Sequence, residues 1–534
     1  MLAGFAALST VAAGLSPLSP PASAVVNAVP VEVGARPGAT RLSFTLADRV
    51  SATVDVGTGN LQVTSKDLTL PGIGSDVQLG LDFNSLLLGA GSPLPAGTAG
   101  PGWAMRLGAD TKLVVNPDSS VLYLAPEGLE GLFTPGTPAG TYNSAAGFKA
   151  DLVSTSGPAG WTLSEHSSGR VLTFNAAGRL TKVADRNANP TTFAYTSGGL
   201  LSSVTSSRGG TLPGPRLATV TSNAAGLMTG VSQTDGGSTT RSVSYAYTAG
   251  QLTGITDALN HTTTFGYDAT TGDLMSVTNN GGALTQFVYT TTHKVSKVTQ
   301  LNPSAGSPGN SATRLAYTAG NTTLVADPTT DQTQGVAAVP HTTYTLDSTD
   351  RVLSAVDPDG NTRSQTYTAG FDVASSTIGT GATGSTSTAS YGANGGESLT
   401  GATAPTGATA GLAYTNTGAG SKFSPSGSTD SQGNSSALAY DTAGNQTSGS
   451  TTALAATAKV TYRADGTVAT ATDPANGTNS TGYTAKLDHP SADRDHPGHR
   501  RIPGRPGVHL RPVRPPRQRH RRRRPDHQLQ LRLR

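Results

Sequence analysis

The sequence predicts an all-β chain, an N-terminal β-domain followed by repeated β-hairpins that stack into a long, curving sheet. Three observations carry that reading. The 534 residues include 66 Gly and 33 Pro, turn formers in numbers that leave little room for long helices. Only 35% are hydrophobic and 5% aromatic, so the core must be spread thinly over many short strands. Finally, one phrase recurs between roughly residues 170 and 487: an aromatic pair, a turn, an apolar alternation, then an Asx/Gly turn.

At the N-terminus, Met1 to Ala24 reads as a secretory signal, with an apolar run from Leu2 to Leu15 and a small-residue cleavage pattern ending at Ala24. A positive n-region is missing, which points to a start further upstream. The expected destination is outside the cell or on its surface. Residues 25–45 read as a linker and 46–165 as the N-terminal β-domain. The absence of cysteine excludes disulfides, Cys-ligated zinc and thiol catalysis, leaving packing to hold the fold. No later run of about 18 apolar residues is present, so no membrane span is expected.

Residues 166–487 hold the repeats. Tyr245-Ala-Tyr247 leads to Gly250-Gln-Leu252, Ile255 and Asp257, and Phe265-Gly-Tyr267-Asp268 leads to Gly272-Asp273-Leu274 and Val277. Tyr440-Asp441 precedes Gly444-Asn445, Tyr462 precedes Asp465-Gly466, and Tyr344 precedes Asp350-Arg351-Val352. Tyr195 and Tyr289 mark further copies. From Tyr247 to Tyr267 is 20 residues, and Tyr267 to Tyr289 and Tyr440 to Tyr462 are 22 each. Each unit holds two alternating runs split by Gly, Asn or Asp, residues that tolerate the positive φ of tight turns, and so reads as a hairpin. A lone hairpin is marginal in water, so the units must pair edge to edge and bury their Tyr, Phe, Leu and Val face together. From 375 to 428 the phrase is diluted to Gly, Ser, Thr and Ala, anchored only by Tyr391, Tyr414 and Phe423, and register there is left open.

After Lys486 the texture changes to Arg, Pro and His, and 488–534 reads as a disordered basic tail. Residues 489–534 hold 14 Arg against three Asp, a local +11 that exceeds the whole chain's +4 and leaves the preceding 488 residues at −7. The basic balance therefore does not argue for nucleic acid, and none is expected as a partner. Back-translated one nucleotide on, His509 to His520 permits Thr-Tyr-Asp, a turn and Ser-Val-Thr, and His527 to Arg534 permits another aromatic strand. The tail is thus expected to be a frameshifted continuation of the repeats.

Candidate chemistry is sparse. Gly379-Thr-Gly381-Ala-Thr-Gly384 matches a dinucleotide glycine pattern, but no strand-to-helix unit surrounds it. Asp357-Pro358-Asp359-Gly360-Asn361 offers oxygens for calcium yet sits at a repeat's turn position, where Pro and Gly serve backbone φ. Before the tail only His166, His261, His293 and His341 occur, with no metal-ligand spacing and no nucleophile elbow. No catalytic residue, metal ligand or cofactor is assigned, and the chain is expected not to be an enzyme.

The Tyr-Asp pairs Tyr267-Asp268 and Tyr440-Asp441, set in this phrase, resemble those of the RHS/YD-repeat family. The preceding region is similar to that family's N-terminal β-domain in Asp55-Val-Gly57-Thr-Gly59-Asn60-Leu61, Leu70-Pro71-Gly72-Ile-Gly74, Phe83-Asn84-Ser85 and Gly102-Trp103. The resemblance implies a spiralling β-shell that encloses a C-terminal toxin domain, released by an aspartyl autoprotease core whose motif Asp357-Pro-Asp-Gly360 echoes. This chain ends before both, so it is expected to be a truncated shell whose partner is its own missing toxin. The rival expectation is a surface adhesin or wall-associated protein that binds cell-surface carbohydrate.

Overall fold

Alternation writes the first sheet. In Val50–Asp55 and Leu61–Ser65 the apolar residues Val50, Ala52, Val54, Leu61 and Val63 fall on one face and Ser51, Thr53, Gln62 and Thr64 on the other, the period of a half-buried strand. In a computed structural model, residues 34, 36–73, 76–89, 97–128, 130–206, 216–235, 238–301, 310–381, 384–452, 456–474 and 477–480 are described. All belong to the first of two units, which ends at Ser491. The signal segment with Ala24, and the basic tail, lie outside the described residues.

The N-terminal sheet comprises β1 (Arg41–Ala47), β2 (Val50–Asp55), β3 (Leu61–Ser65), β4 (Leu68–Leu70), β5 (Val77–Asn84) and β6 (Trp103–Arg106). Its order is β1-β2-β3-β5-β4, with β6 also on β5. Strand β1 begins at Arg41, inside the stretch expected to be linker. It is held there because Thr40 O accepts the Val56 N–H and Arg36 forms a buried ion pair with Asp55.

From β7 (Lys112–Val115) through β8 (Val121–Leu124) and β9 (Glu130–Pro135) onward, sequence neighbours are pairing neighbours in one long antiparallel sheet that closes on itself. The closing bonds lie near its start, where the Leu113 N–H donates to Gly178 O at 2.8 Å and Lys112 bridges Arg179. Residues 112–165, expected in the N-terminal domain, are therefore the opening strands of the ribbon. No break in pairing occurs at 165/166, since Ser164 pairs with Val171.

The diluted tract is paired as well: Val373–Ile378, Ser385–Ala393, Ser398–Thr403, Thr409–Ala413 and Gly427–Asp430 pair one after another, with register shifts around Tyr391. Backbone bonds need no particular side chain, so the ladder survives where the apolar pattern fades. Packing does not survive in the same way. Among the described residues the buried hydrophobic core runs from Leu46 to Val352 and contains nothing beyond it.

Candidate functional site

The repeat tyrosines form a hydrogen-bonded ladder. In the hairpin closed by Tyr267, Gly266 pairs with Ser276 but Tyr267 pairs with Leu274, so Met275 is the extra residue of a β-bulge. The bulge turns the tyrosine ring along the sheet, and its hydroxyl reaches back to the carbonyl of Leu252 at 2.6 Å. Leu252 is itself the bulge partner of Tyr247. The next rung repeats the geometry: Tyr289 pairs with Val295 and donates to Leu274 O at 2.8 Å.

Of the expected signature residues, Tyr195, Tyr440 and Tyr462 make the same bond, to Leu180, Pro425 and Gln446 carbonyls at 2.7, 2.8 and 2.8 Å, and Tyr247 donates to Met228 O at 2.6 Å. Burial pushes the hydroxyls of Tyr267 and Tyr289 well above the ordinary tyrosine range, so they act as neutral donors. Tyr344 is the exception. In its hairpin the register slips between Thr345 and Leu346, so Leu346 occupies the rung position and Tyr344 sits one pleat earlier, opposite Ala355. Three further rungs join these: Tyr317 and Tyr367, which escaped the sequence reading, and Tyr391, an expected anchor of the diluted tract, donate to Val295, Val352 and Val373 carbonyls. Tyr317 lies 28 residues beyond Tyr289, which hides the period, whereas Tyr367 is followed by Gly370 and Asp372-Val373, the turn-then-apolar phrase of the other copies, and was available as a signal.

The acidic half of each Tyr-Asp pair closes the hairpin turn. Asp268 Oδ1 accepts the N–H groups of Thr270 and Thr271 at 2.8 Å each, and those bonds hold its carboxyl below the usual range. Asp441 accepts from Ala443 and Asn445 in the same way. Asp357, considered above for calcium, does likewise with Asp359 and Asn361, an Asx turn that occupies its oxygens.

Two contact systems join this ladder to the rest. The N-terminal sheet docks its apolar face on the middle repeats: Trp103 Nε1 donates to Tyr267 Oη at 2.8 Å, Tyr245 donates to Asp67 Oδ2 at 2.8 Å, and the Val295 N–H donates to Gly59 O. Arg36 bonds the carbonyls of Thr349 and Asp350 while paired to Asp55. The second system is a seam between early and late turns. Lys149 pairs with Asp372 at 2.6 Å, and His166 Nδ1 meets Glu397 at 2.6 Å while its ring stacks on Phe423 at 4.1 Å. Arg186 donates to Gly444 O, Asn187 and Asn445 exchange amide bonds, and Asn189 donates to Asp465 O. Partners in the seam lie 223 to 276 residues apart, so the ribbon passes over its own beginning after about that length. Gly444 is required there, because a Cβ would fall 1.9 Å from Gly420 O at a φ of +90°.

No helix of the described residues is long and apolar enough to cross a membrane, and no His, Cys, Asp and Glu group among them has metal-site geometry.

No curated protein matches the chain. Solved structures that it resembles include a TcdB2–TccC3–Cdc42 complex, with 13% identity and a TM-score of 0.35 over 79% of this chain and 23% of that one. The Photorhabdus luminescens Tc holotoxin pore follows, with 11% identity and a TM-score of 0.30 over 80% and 27%. A porin-like protein from Bacteroides uniformis gives 10% identity and a TM-score of 0.17 over 54% and 92%. The chain spans about a quarter of the length of the first two. The RHS Repeat family matches residues 174–211 and 247–282. Those two segments contain the hairpins closed by Tyr195 and Tyr267, rungs of a ladder that recurs to Tyr462, and the chain is accordingly an RHS/YD-repeat protein.

Proposed function

We propose that the chain forms part of the wall of a secreted RHS shell that encloses a polypeptide cargo, a toxin domain, and that it acts as a scaffold without turnover. The observation that carries the reading is the seam. A sheet that returns over its own start and bonds turn to turn through Lys149–Asp372, His166–Glu397 and Asn187–Asn445 is built as a continuous wall, with no gap between one winding and the next at those turns. Fold alone does not assign an activity.

The test co-expresses the chain with the polypeptide encoded downstream, in each reading frame, and follows limited proteolysis of the downstream product. An enclosed product resists protease at least ten times longer than the same product expressed alone. Equal cleavage rates overturn the enclosure. Secretion is tested separately, by fusing residues 1–30 to a reporter: export with cleavage after Ala24 supports the signal, and retention of an uncut fusion overturns it.

A further inference from the structure

The polar face of the N-terminal sheet borders a cavity that the shell reading does not use. Ser51 pairs with Thr64, Thr53 with Gln62, and Thr64 with Asp82, so these side chains share the face opposite the docked apolar one. Across from them stand residues of the ribbon's opening strands and turns, Tyr123, Glu127 and Arg170. Between the two walls lies a cavity of about 510 Å³. That volume suits a molecule of one or two rings.

Hydrogen-bond accounting separates the groups already occupied from those left over. Arg106 is satisfied by a two-pronged bond to Asp82, at 3.0 and 3.1 Å. Arg170 Nη2 bonds Glu165 at 2.7 Å, but its Nε is buried without a partner. Tyr123 is only 6% exposed, and its hydroxyl bonds to no described residue. The Glu127 carboxyl has only its own backbone N–H as a partner, and burial raises it above the usual range. On the facing wall Arg41 reaches only neutral acceptors, Gly34 O at 2.5 Å and Gln62 Oε1 at 3.5 Å. Burial weakens its hold on the proton, with Asp55 opposing that effect and Arg36 adding to it. Buried polar groups are almost always bonded, so an unpartnered Arg170 Nε, an unbonded Tyr123 hydroxyl and an Arg41 without a carboxylate around one cavity call for an explanation.

We propose that this cavity binds a sugar acid, a hexuronate-class ligand whose carboxylate pairs with Arg41 and whose ring hydroxyls bond Tyr123, Glu127 and Arg170. Guanidinium and carboxylate match in a fork, which supplies Arg41 with the counter-ion it lacks. Hydroxyl groups both donate and accept, which satisfies the carboxyl of Glu127, the hydroxyl of Tyr123 and the Arg170 N–H at once. A neutral sugar leaves Arg41 unpaired. A peptide side chain of apolar character finds a wall dominated by amides, hydroxyls and charges. The proposal is independent of whether the chain encloses a cargo.

Calorimetric titration of the whole chain with D-glucuronate and D-galacturonate, with D-glucose and acetate as comparators, tests it. Saturable one-to-one binding is expected for at least one uronate, with glucose and acetate at least ten-fold weaker. Arg41→Gln should weaken uronate binding about ten-fold and erase its advantage over glucose, while Arg41→Lys restores part of it. Tyr123→Phe should weaken binding roughly five- to ten-fold yet leave the unfolding midpoint unchanged, because the hydroxyl has no partner in the free protein. The proposal is overturned by absence of binding for both uronates at ~10 mM, beyond the weakest Kd expected for such a site. It is equally overturned by acetate binding as tightly, or by affinity that neither Arg41→Gln nor Tyr123→Phe changes.

Discussion

The indole N–H of Trp103 donates to the hydroxyl of Tyr267 at 2.8 Å, and that hydroxyl donates in turn to Leu252 O at 2.6 Å. One side chain thereby links the N-terminal sheet to the repeat ladder. Tyr267→Phe leaves both the indole N–H and the Leu252 carbonyl short of a partner, a loss of about 1–3 kcal/mol. Tyr462→Phe, at an exposed rung, should cost roughly 1 kcal/mol or less. Denaturant unfolding of the two variants checks the ranking, and equal effects would contradict the linking role.

Arg36 and Asp55 form a buried ion pair at 2.9 Å, and Arg36 also holds the carbonyls of Thr349 and Asp350. Arg36→Ala strands the Asp55 charge and should destabilise by about 3–5 kcal/mol. Amide exchange in the 347–351 turn should rise together with that in β1 and β2, because one guanidinium serves both.

Burial pushes the carboxyl of Asp67 up to about 6 from 3.8, although Tyr245 and Ser65 hydroxyls donate to it. The folded state then binds this proton more tightly than the unfolded chain does. The associated stability is fully present below about pH 4 and is lost as pH rises through 6, a change on the order of 3 kcal/mol from about 1.4 kcal/mol per unit. Asp67→Asn should flatten that slope between pH 4 and 6 in equilibrium unfolding, and an unchanged slope would assign it to other carboxylates.

Seam contacts predict a local effect. Glu397→Gln combined with Lys149→Ala alters the His166–Glu397 contact and removes the Lys149–Asp372 ion pair. Hydrogen exchange should quicken at the 394–397 and 422–424 turns while strands Thr262–Tyr267 and Leu284–Tyr289 stay protected, since these lie on the docked core. Uniform loosening of the whole ribbon would contradict a separate seam.

Much of this was legible in the residues. The Tyr and Asp spacing around Tyr247, Tyr267 and Tyr289 marks hairpins because bulge, turn and ladder bond all demand fixed residue types at fixed offsets. Tyr344 misled for the converse reason: the rung is defined by where the register slips, and that slip follows Thr345, which an aromatic count does not reveal. The seam was beyond reach, since Asn187 and Asn445 are ordinary turn residues whose pairing depends on the path of the ribbon over 258 residues. The cavity was hidden likewise, because Arg41 and Tyr123 become neighbours of one space only when the ribbon's opening strands face β1 to β3.

Every tyrosine in the ladder reaches toward a carbonyl nearer the N-terminus, never toward one still to come. A chain leaving a ribosome or a translocation channel with its N-terminus first therefore finds the acceptor for each new tyrosine already in place. Growth from that end can seal one hairpin at a time without waiting for later sequence, whereas growth from the other end would expose unsatisfied hydroxyls at every step. The direction of the bonds thus suits a wall that is laid down during synthesis, with the N-terminal sheet as the first course.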